Sequence, residues 1–209
     1  PRDMDKHEVV TITMPANRWE SAIERFEAQD RESPPPQGAI LFTGSSSIRM
    51  WDLEKRFPKR DTVNRGFGGS QYGDVWRFAE RLIAPYEPRQ IVLYAGDNDI
   101  AAGRSPQWVL ADFKALLARI RHISPAATVV VLSIKPSTAR WGMWPDMREA
   151  NRLMRAHCAD EQEVTFVNMA TPLLDENGRP RDDVFREDGL HLNATGYAIW
   201  TATLEPFLE

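Results

Sequence analysis

Short apolar segments alternate with longer segments of helical periodicity along most of the chain. The apolar segments are rich in β-branched residues and comprise residues 39–43, 62–64, 91–95, 128–134 and 164–168. They are apolar throughout rather than alternating with polar residues, which is typical of parallel strands that helices cover on both faces. The pattern therefore predicts an α/β fold, a three-layer sandwich around a five-stranded parallel sheet.

The helical segments differ in how clearly their ends are marked. The clearest has Ser105 at its N-cap, Pro106 in its first turn and Pro125 beyond its end. Apolar residues recur on one face of this helix, at Val109, Leu110, Phe113, Leu116, Leu117 and Ile120. Further helices are predicted over residues 16–29, 70–83, 146–160 and 194–204.

We expect one domain that spans residues 1–209. In it an N-terminal extension and helix, about residues 1–37, precede the first strand of the sheet. The proline-rich stretch ESPPPQG, residues 32–38, is a stiff connector between that helix and the strand. The length of 209 residues is sufficient for one sizeable hydrophobic core.

Composition and charge exclude several classes of protein. Hydrophobic residues make up 42% and charged residues 27% of the chain, as in ordinary soluble globular proteins. The formal net charge is -4 and no block of basic residues occurs, which argues against nucleic-acid binding. No apolar run approaches the roughly 18 residues that a membrane-spanning helix needs. We therefore expect a soluble protein, cytoplasmic or exported with a leader that this chain does not include, and the oligomeric state does not follow from the sequence.

Small polar residues and glycines follow the predicted strands, where doubly wound sheets bind their ligands. The loops after the first three strands contain GSSS (44–47), NRGFGG (64–69) and GDND (96–99), and DGLH (188–191) follows the last strand. Asp97 and Asp99 are expected to form hydrogen bonds within their loop, since sites for hard cations usually gather more carboxylates.

Together these loops contain the groups that acyl transfer to a serine requires. The Ser46 hydroxyl, the His191 imidazole and the Asp188 carboxylate correspond to a nucleophile, its base and the group that orients the base. The N–H groups of Ser46 and Gly69 and the amide of Asn98 are candidate donors for the negative charge that develops on the carbonyl oxygen. One reaction thus accounts for all four loops.

The four blocks, in this order, resemble the signature of the SGNH hydrolases in the GDSL esterase and lipase superfamily. The similarity extends over most of the chain, and its order makes it far more specific than any one block. By position, it implies a triad of Ser46, Asp188 and His191 and oxyanion-hole donors at Ser46, Gly69 and Asn98. It also implies a flavodoxin-like sheet, a carboxylic ester hydrolase, and no metal or other cofactor.

The chain departs from many members of that superfamily at one position. Ser45 precedes the implied nucleophile where those members have an aspartate. Counting from Gly44, the spacing of the family selects Ser46 as the reactive serine. Ser45 and Ser47 are then expected to be turn and cap residues.

Three functions remain open at this level. The first is a serine esterase that acts on small-molecule esters of short to medium acyl groups. The second is a carbohydrate deacetylase of the acetylxylan type with the same machinery; Trp141 and Trp144, after the fourth strand, would then wall a sugar pocket or simply pack. The third is a non-catalytic flavodoxin-like protein that holds phosphate or a flavin at the GSSS turn, which leaves Asn98 and the DGLH block unexplained.

Overall fold

The structure is a computed structural model that describes residues 18–209. Its sheet consists of five strands, β1 (Ile40–Gly44), β2 (Thr62–Gly66), β3 (Gln90–Tyr94), β4 (Thr128–Leu132) and β5 (Val164–Val167). All neighbouring strands are parallel, and their order across the sheet is β2-β1-β3-β4-β5. The α/β fold with a five-stranded parallel sheet is confirmed.

Eight α-helices connect and flank the strands within residues 18–209. They are α1 (Glu20–Glu32), α2 (Ser46–Arg49), α3 (Leu53–Arg56), α4 (Tyr72–Ile83), α5 (Asp97–Ala101), α6 (Pro106–Ile123), α7 (Trp144–Ala159) and α8 (Ala194–Leu204). Helix α6 begins as predicted, because the Ser105 hydroxyl accepts the N–H of Trp108 at 3.1 Å and Pro106 is the first helical residue. The predicted N-terminal helix corresponds to α1, whereas residues 16–17 and the preceding extension lie outside the described residues. None of the described helices combines the length and the hydropathy needed to cross a bilayer.

The helices cover both faces of the sheet, which explains why the three central strands β1, β3 and β4 are buried almost throughout, whereas the edge strands β2 and β5 are partly exposed. Successive strand residues point to opposite faces, so Leu41 and Phe42 belong to different parts of the core. One face packs against α1, α4, α6 and α7 through Ile23, Phe78, Phe113 and Met154. The other packs against α2, α3 and α8 through Ile48, Leu53 and Trp200. The three-layer arrangement is therefore confirmed.

Strand β4 ends two residues earlier than the apolar run predicts. The N–H of Ile134 donates to the Asn151 side chain at 2.7 Å, and the Ile134 carbonyl accepts from the Asn151 amide at 2.9 Å. A side chain of α7 thus replaces the neighbouring strand as the partner of this backbone. The N–H of Ser133 still donates to the Val167 carbonyl of β5 at 3.0 Å. Beyond Ser133 the chain leaves the sheet and carries Lys135 and Arg140 across its carboxyl edge.

Strand β1 marks the point where the order of the strands reverses. It lies between β2 and β3, so the connections that leave β1 and β2 run in opposite directions across the sheet. Doubly wound sheets form their ligand-binding crevice at such a point, beyond the carboxyl ends of the strands. The loops after β1, β2 and β3 all meet there.

Candidate active site

The loop after β1 presents Ser46 at the carboxyl edge of the sheet. Gly44 ends the strand with φ +135°, and a Cβ atom at this position would lie 1.8 Å from the carbonyl oxygen of Tyr94 on β3. Only glycine permits this close approach between the two strands. Of the three serines that follow, Ser45 and Ser47 are 1% and 2% exposed, and Ser46 is partly exposed.

Ser45 is a cap residue by position, as expected, but its side chain makes no capping hydrogen bond. It occupies the N-cap position of α2, but its Oγ is buried and has no hydrogen-bond partner within residues 18–209. Its backbone carbonyl instead accepts the N–H groups of Ile48 and Arg49, each at 3.1 Å. The main chain alone therefore closes the single turn of α2.

Ser46, His191 and Asp188 form a continuous chain of hydrogen bonds. The Ser46 Oγ lies 3.2 Å from the His191 Nε2, and the His191 Nδ1 lies 2.5 Å from the Asp188 Oδ2. The hydrogen bond from His191 lowers the pKa of Asp188 to about 2, and the N–H groups of Leu190 and His191 on its Oδ1 add to this shift. Asp188 is therefore ionised at neutral pH, which favours the imidazole form with its proton on Nδ1 and a free electron pair on Nε2 facing Ser46.

The turn that carries His191 is fixed by backbone contacts on both sides. Phe185 and Leu192 form an antiparallel bridge, and Gly189, with φ +63°, sits in the turn between them. The Gly189 carbonyl accepts the N–H of Ala139 at 3.0 Å, which ties the turn to the segment after β4. Asn193 then caps α8 by accepting the N–H of Gly196 at 3.0 Å.

The loop after β2 is fastened to the end of β1. The Gly44 carbonyl accepts both the N–H of Phe67 at 2.9 Å and the Ser70 hydroxyl at 3.0 Å. Gly69 between them has φ +78°, a left-handed conformation that favours glycine. Within residues 18–209, neither the Ser46 N–H nor the Gly69 N–H donates a hydrogen bond, and both residues line the same cavity.

Asn98 lies in the first turn of α5, and both ends of its amide are held. Its Nδ2 donates to the Ser70 carbonyl at 3.2 Å, and its Oδ1 accepts from the Arg140 Nη1 at 3.1 Å. The same Nη1 lies 3.2 Å from the Asp97 Oδ2, which also accepts from the buried Lys135 amine at 3.4 Å. Arg140 thus orients the Asn98 amide so that its second Nδ2 hydrogen remains available.

Asp97 and Asp99 belong to helix α5 rather than to a loop, and their contacts extend beyond it. Asp97 forms ion pairs with two cations of the segment after β4, so the expectation of bonding within the loop is wrong for this residue. Asp99 accepts the N–H of Tyr72 at 3.2 Å on Oδ1. Burial raises the pKa of Asp99 to about 7, and the negative charges of Asp97 and Asp112 add to the rise.

These groups surround a cavity of about 350 Å³ above the switch point. Its lining comprises Arg18, Ser46, Arg49, Gly68, Gly69, Asp97, Asn98, Lys135, Arg140, Leu190 and His191. Every residue proposed from the sequence lies there except Asp188, which stands behind His191. The four basic residues were missed, and nothing in the spacing of Arg18, Lys135 or Arg140 distinguishes them among the 26 lysines and arginines. Only Arg49 had a usable signal, since it lies one helical turn after Ser46.

The two tryptophans after β4 do not line this cavity. The rings of Trp141 and Trp144 stack on each other with centroids 6.2 Å apart. Trp144 faces a separate cavity of about 430 Å³, together with Arg148 and Phe166. The sequence left open whether these rings wall the site or pack, and the arrangement favours packing.

A serine, histidine and aspartate joined by hydrogen bonds above a parallel sheet are the groups of a serine hydrolase. The sequence profile of the GDSL-like lipase/acylhydrolase family matches residues 38–199, so the chain belongs to this family and is an ester hydrolase. No curated protein matches the sequence significantly.

Several solved structures share the fold. A protein from Streptococcus pneumoniae, provisionally described as a platelet activating factor, is 23% identical with a TM-score of 0.83, covering 91% of this chain and 92% of its own. A GDSL-like lipase from Bacteroides thetaiotaomicron is 18% identical with a TM-score of 0.75, covering 88% and 96%. A carbohydrate esterase of family 3 from Talaromyces cellulolyticus is 16% identical with a TM-score of 0.62, covering 80% and 94%. At these identities the likeness establishes the shared architecture.

Proposed function

We propose that the protein is a serine esterase that cleaves carboxylic esters of short to medium acyl groups through an acyl-enzyme on Ser46. The observation that carries the proposal is the hydrogen-bonded chain from the Ser46 Oγ through His191 to Asp188, with distances of 3.2 and 2.5 Å. The contact between Ser46 and His191 is within the reach that proton transfer from nucleophile to base requires. The contact between His191 and Asp188 orients the imidazole.

In the proposed mechanism, His191 acts first as a base and then as an acid. Its Nε2 takes the hydroxyl proton of Ser46 while the Ser46 Oγ bonds to the ester carbonyl carbon. The imidazolium then gives that proton to the alcohol oxygen as the bond between carbon and this oxygen breaks. A water molecule repeats the two steps on the acyl-enzyme and releases the acid. Asp188 holds the proton on Nδ1 throughout and stabilises the imidazolium.

Three donors are proposed to bind the oxyanion of each tetrahedral intermediate. They are the N–H groups of Ser46 and Gly69, which have no other acceptor within residues 18–209, and the Asn98 amide. Because the surrounding contacts fix these donors before the substrate arrives, they stabilise the developing charge without having to reorganise.

The lining of the cavity supports a small acyl group. Among the described residues that form it, Leu190 alone has a hydrocarbon side chain, so a long acyl chain would find little apolar surface to bury. We expect hydrolysis of 4-nitrophenyl esters to be fastest for acetate and butyrate and to decline towards octanoate. A rate that rises steadily to octanoate would contradict a short-acyl site.

Replacement of the serines tests the mechanism directly. Ser46→Ala is expected to remove nearly all turnover of 4-nitrophenyl acetate, because within residues 18–209 no other nucleophilic side chain is hydrogen-bonded to the His191 Nε2. Ser45→Ala is the matched control, since the Ser45 hydroxyl is buried and bonds to nothing within the described residues. If Ser46→Ala kept more than a few per cent of wild-type turnover while unfolding at the same temperature, the proposed nucleophile would be wrong.

A carbohydrate deacetylase remains the second candidate from the sequence. The family 3 carbohydrate esterase bears only on the fold, and neither Trp141 nor Trp144 lines the cavity. We therefore rank the small-molecule esterase first. Release of acetate from acetylated xylan, compared with 4-nitrophenyl acetate at equal enzyme concentration, separates the two.

A further inference from the structure

The cavity beside Ser46 is strongly basic in an acidic protein. The chain has a formal net charge of -4, yet the cavity is lined by Arg18, Arg49, Lys135 and Arg140 against one carboxylate, Asp97. Lys135 and Arg140 both contact the Asp97 Oδ2, so this buried group already balances part of their charge. Two arginines remain, and a cleft lined by one sign of charge concentrates ions of the opposite sign.

Arg18 and Arg49 face the cavity, and no carboxylate of the described residues is bonded to either of them. Within residues 18–209 neither side chain forms a hydrogen bond or an ion pair. Asp74 is near enough for the charge of Arg18 to act on its pKa, which burial raises. The Asp74 carboxylate, however, accepts its hydrogen bond from the N–H of Gln71 and not from Arg18. As far as residues 18–209 are concerned, both guanidinium groups are therefore available to a ligand.

The two guanidinium groups lie over the loop that carries a proposed oxyanion donor. A Cβ atom on Gly69 would come 2.3 Å from an Arg18 Nη, and one on Gly68 would come 3.4 Å from the Arg49 Nε. Arg18 is held there because its guanidinium stacks on the Trp19 ring at 4.2 Å, while the Trp19 Nε1 donates to the Gly68 carbonyl at 2.8 Å. The segment before α1 is thus docked onto the rim of the active site.

We propose that Arg18 and Arg49 form an anion subsite next to Ser46, and that the substrate is an ester that carries a carboxylate or phosphate group. This inference rests on the proposed esterase function and defines its substrate class. A guanidinium offers a planar fork of donors that matches the oxygens of either anion. Arg18 and Trp19 lie outside residues 38–199, so the residues that the family profile matches do not include this part of the subsite.

The anion belongs either to the acyl half or to the alcohol half of the ester, and two substrate pairs distinguish these sources. For the acyl half, 4-nitrophenyl hemisuccinate is compared with neutral 4-nitrophenyl butyrate. For the alcohol half, 1-acetylglycerol 3-phosphate is compared with 1-acetylglycerol. In each pair the ratio of kcat/KM for the anionic and the neutral ester reports the subsite, and hydrolysis of the neutral ester reports the esterase.

The test compares this ratio in the wild type, in the double variant Arg18→Gln/Arg49→Gln, and in Arg119→Gln. Arg119 is the matched control, because it also stacks on a tryptophan, Trp76, at 4.7 Å but does not line the cavity. In at least one pair we expect the double variant to lower the ratio roughly tenfold or more, the lower end of what a charged hydrogen bond contributes. The Arg119→Gln ratio should match the wild type, and added salt should lower the wild-type ratio.

Two outcomes count against different claims. If the double variant changes the ratio less than threefold in both pairs, the anion subsite is refuted while the esterase stands. If the wild type hydrolyses no ester in either pair, the esterase fails. In that case succinate and inorganic phosphate are titrated by calorimetry into Ser46→Ala and into the triple variant Ser46→Ala/Arg18→Gln/Arg49→Gln. Binding to the first protein that is lost in the second supports the anion subsite independently of any hydrolysis, and equal binding or none refutes it. Thermal unfolding of the double variant checks that the exposed substitutions leave the fold intact.

Discussion

The buried carboxyl group of Asp99 predicts how stability depends on pH. Burial raises its pKa from 3.8 to about 7, so the unfolded chain releases a proton that the folded protein still holds. Since the folded state binds this proton more tightly, the contribution of Asp99 to stability is fully present below pH 3.8 and is lost as the pH rises through 7. Stability is expected to fall over that interval.

The size of the effect follows from the two pKa values. Between pH 5 and pH 8, the proton balance of one carboxyl group with these values lowers the free energy of unfolding by roughly 2–3 kcal/mol. This is a large fraction of the 5–15 kcal/mol by which folded domains are typically stable. The desolvation of the Asp99 carboxyl, which is 0% exposed, is the main source of this effect.

The assay is urea unfolding of the wild type and Asp99→Asn at pH 5, 6, 7 and 8. The asparagine keeps an oxygen for the N–H of Tyr72 but cannot ionise. We expect its stability relative to the wild type to rise by roughly 2–3 kcal/mol from pH 5 to pH 8. Asp99→Ala should show the same rise from a lower starting point, because it also loses the bond to Tyr72. A difference between wild type and Asp99→Asn that stays constant over this range would refute the reasoning.

Two further predictions concern the proposed catalytic groups. Asn98→Ala should lower kcat for 4-nitrophenyl acetate roughly 10²–10³-fold. The double variant Asn98→Ala/Arg140→Ala should have nearly the same kcat as Asn98→Ala, because Arg140 is proposed to act on this ester by orienting the Asn98 amide. Losses that simply multiply in the double variant would show that Arg140 has another role. Asp188→Asn should lower kcat roughly 10⁴-fold with little change in KM, since an amide at this position favours the wrong imidazole tautomer. Steady-state kinetics checks this, with Asp188→Glu as the control that keeps the carboxylate. A loss of kcat below tenfold in Asp188→Asn would contradict the proposed role.

The parts of the structure that depend on local sequence were predicted well. The strands β1, β3, β4 and β5 are mostly apolar runs that the sequence shows directly, and β2 was recognised from residues 62–64 alone. Ser105 with Pro106 fixes the start of α6 within the sequence itself. The proposed triad was also within reach, because Asp188 and His191 are only three residues apart and Ser46 follows a strand. The fold then brings His191 to Ser46 across 145 residues.

Apart from the proposed triad, the features that depend on contacts between distant segments were not predicted. The end of β4 is set by the Asn151 amide of α7, and the cations of the cavity come from α2, from the segment before α1 and from the segment after β4. Arginine is common on any surface, so its role emerges only when the fold places it beside a functional group. The burial of Ser45, likewise, depends on neighbours that its local sequence does not reveal.

Ser70 shows how such distant contacts bind the site together. It is 0% exposed; its hydroxyl donates to the carbonyl of Gly44, two residues before Ser46, and its own carbonyl accepts the Asn98 amide. One side chain and its backbone thus connect the loops after β1, β2 and β3, the loops that carry the three proposed oxyanion donors. Since donors stabilise a developing charge most when they need not move, the proposed mechanism implies that Ser70, although buried, would help to set the rate at which Ser46 reacts.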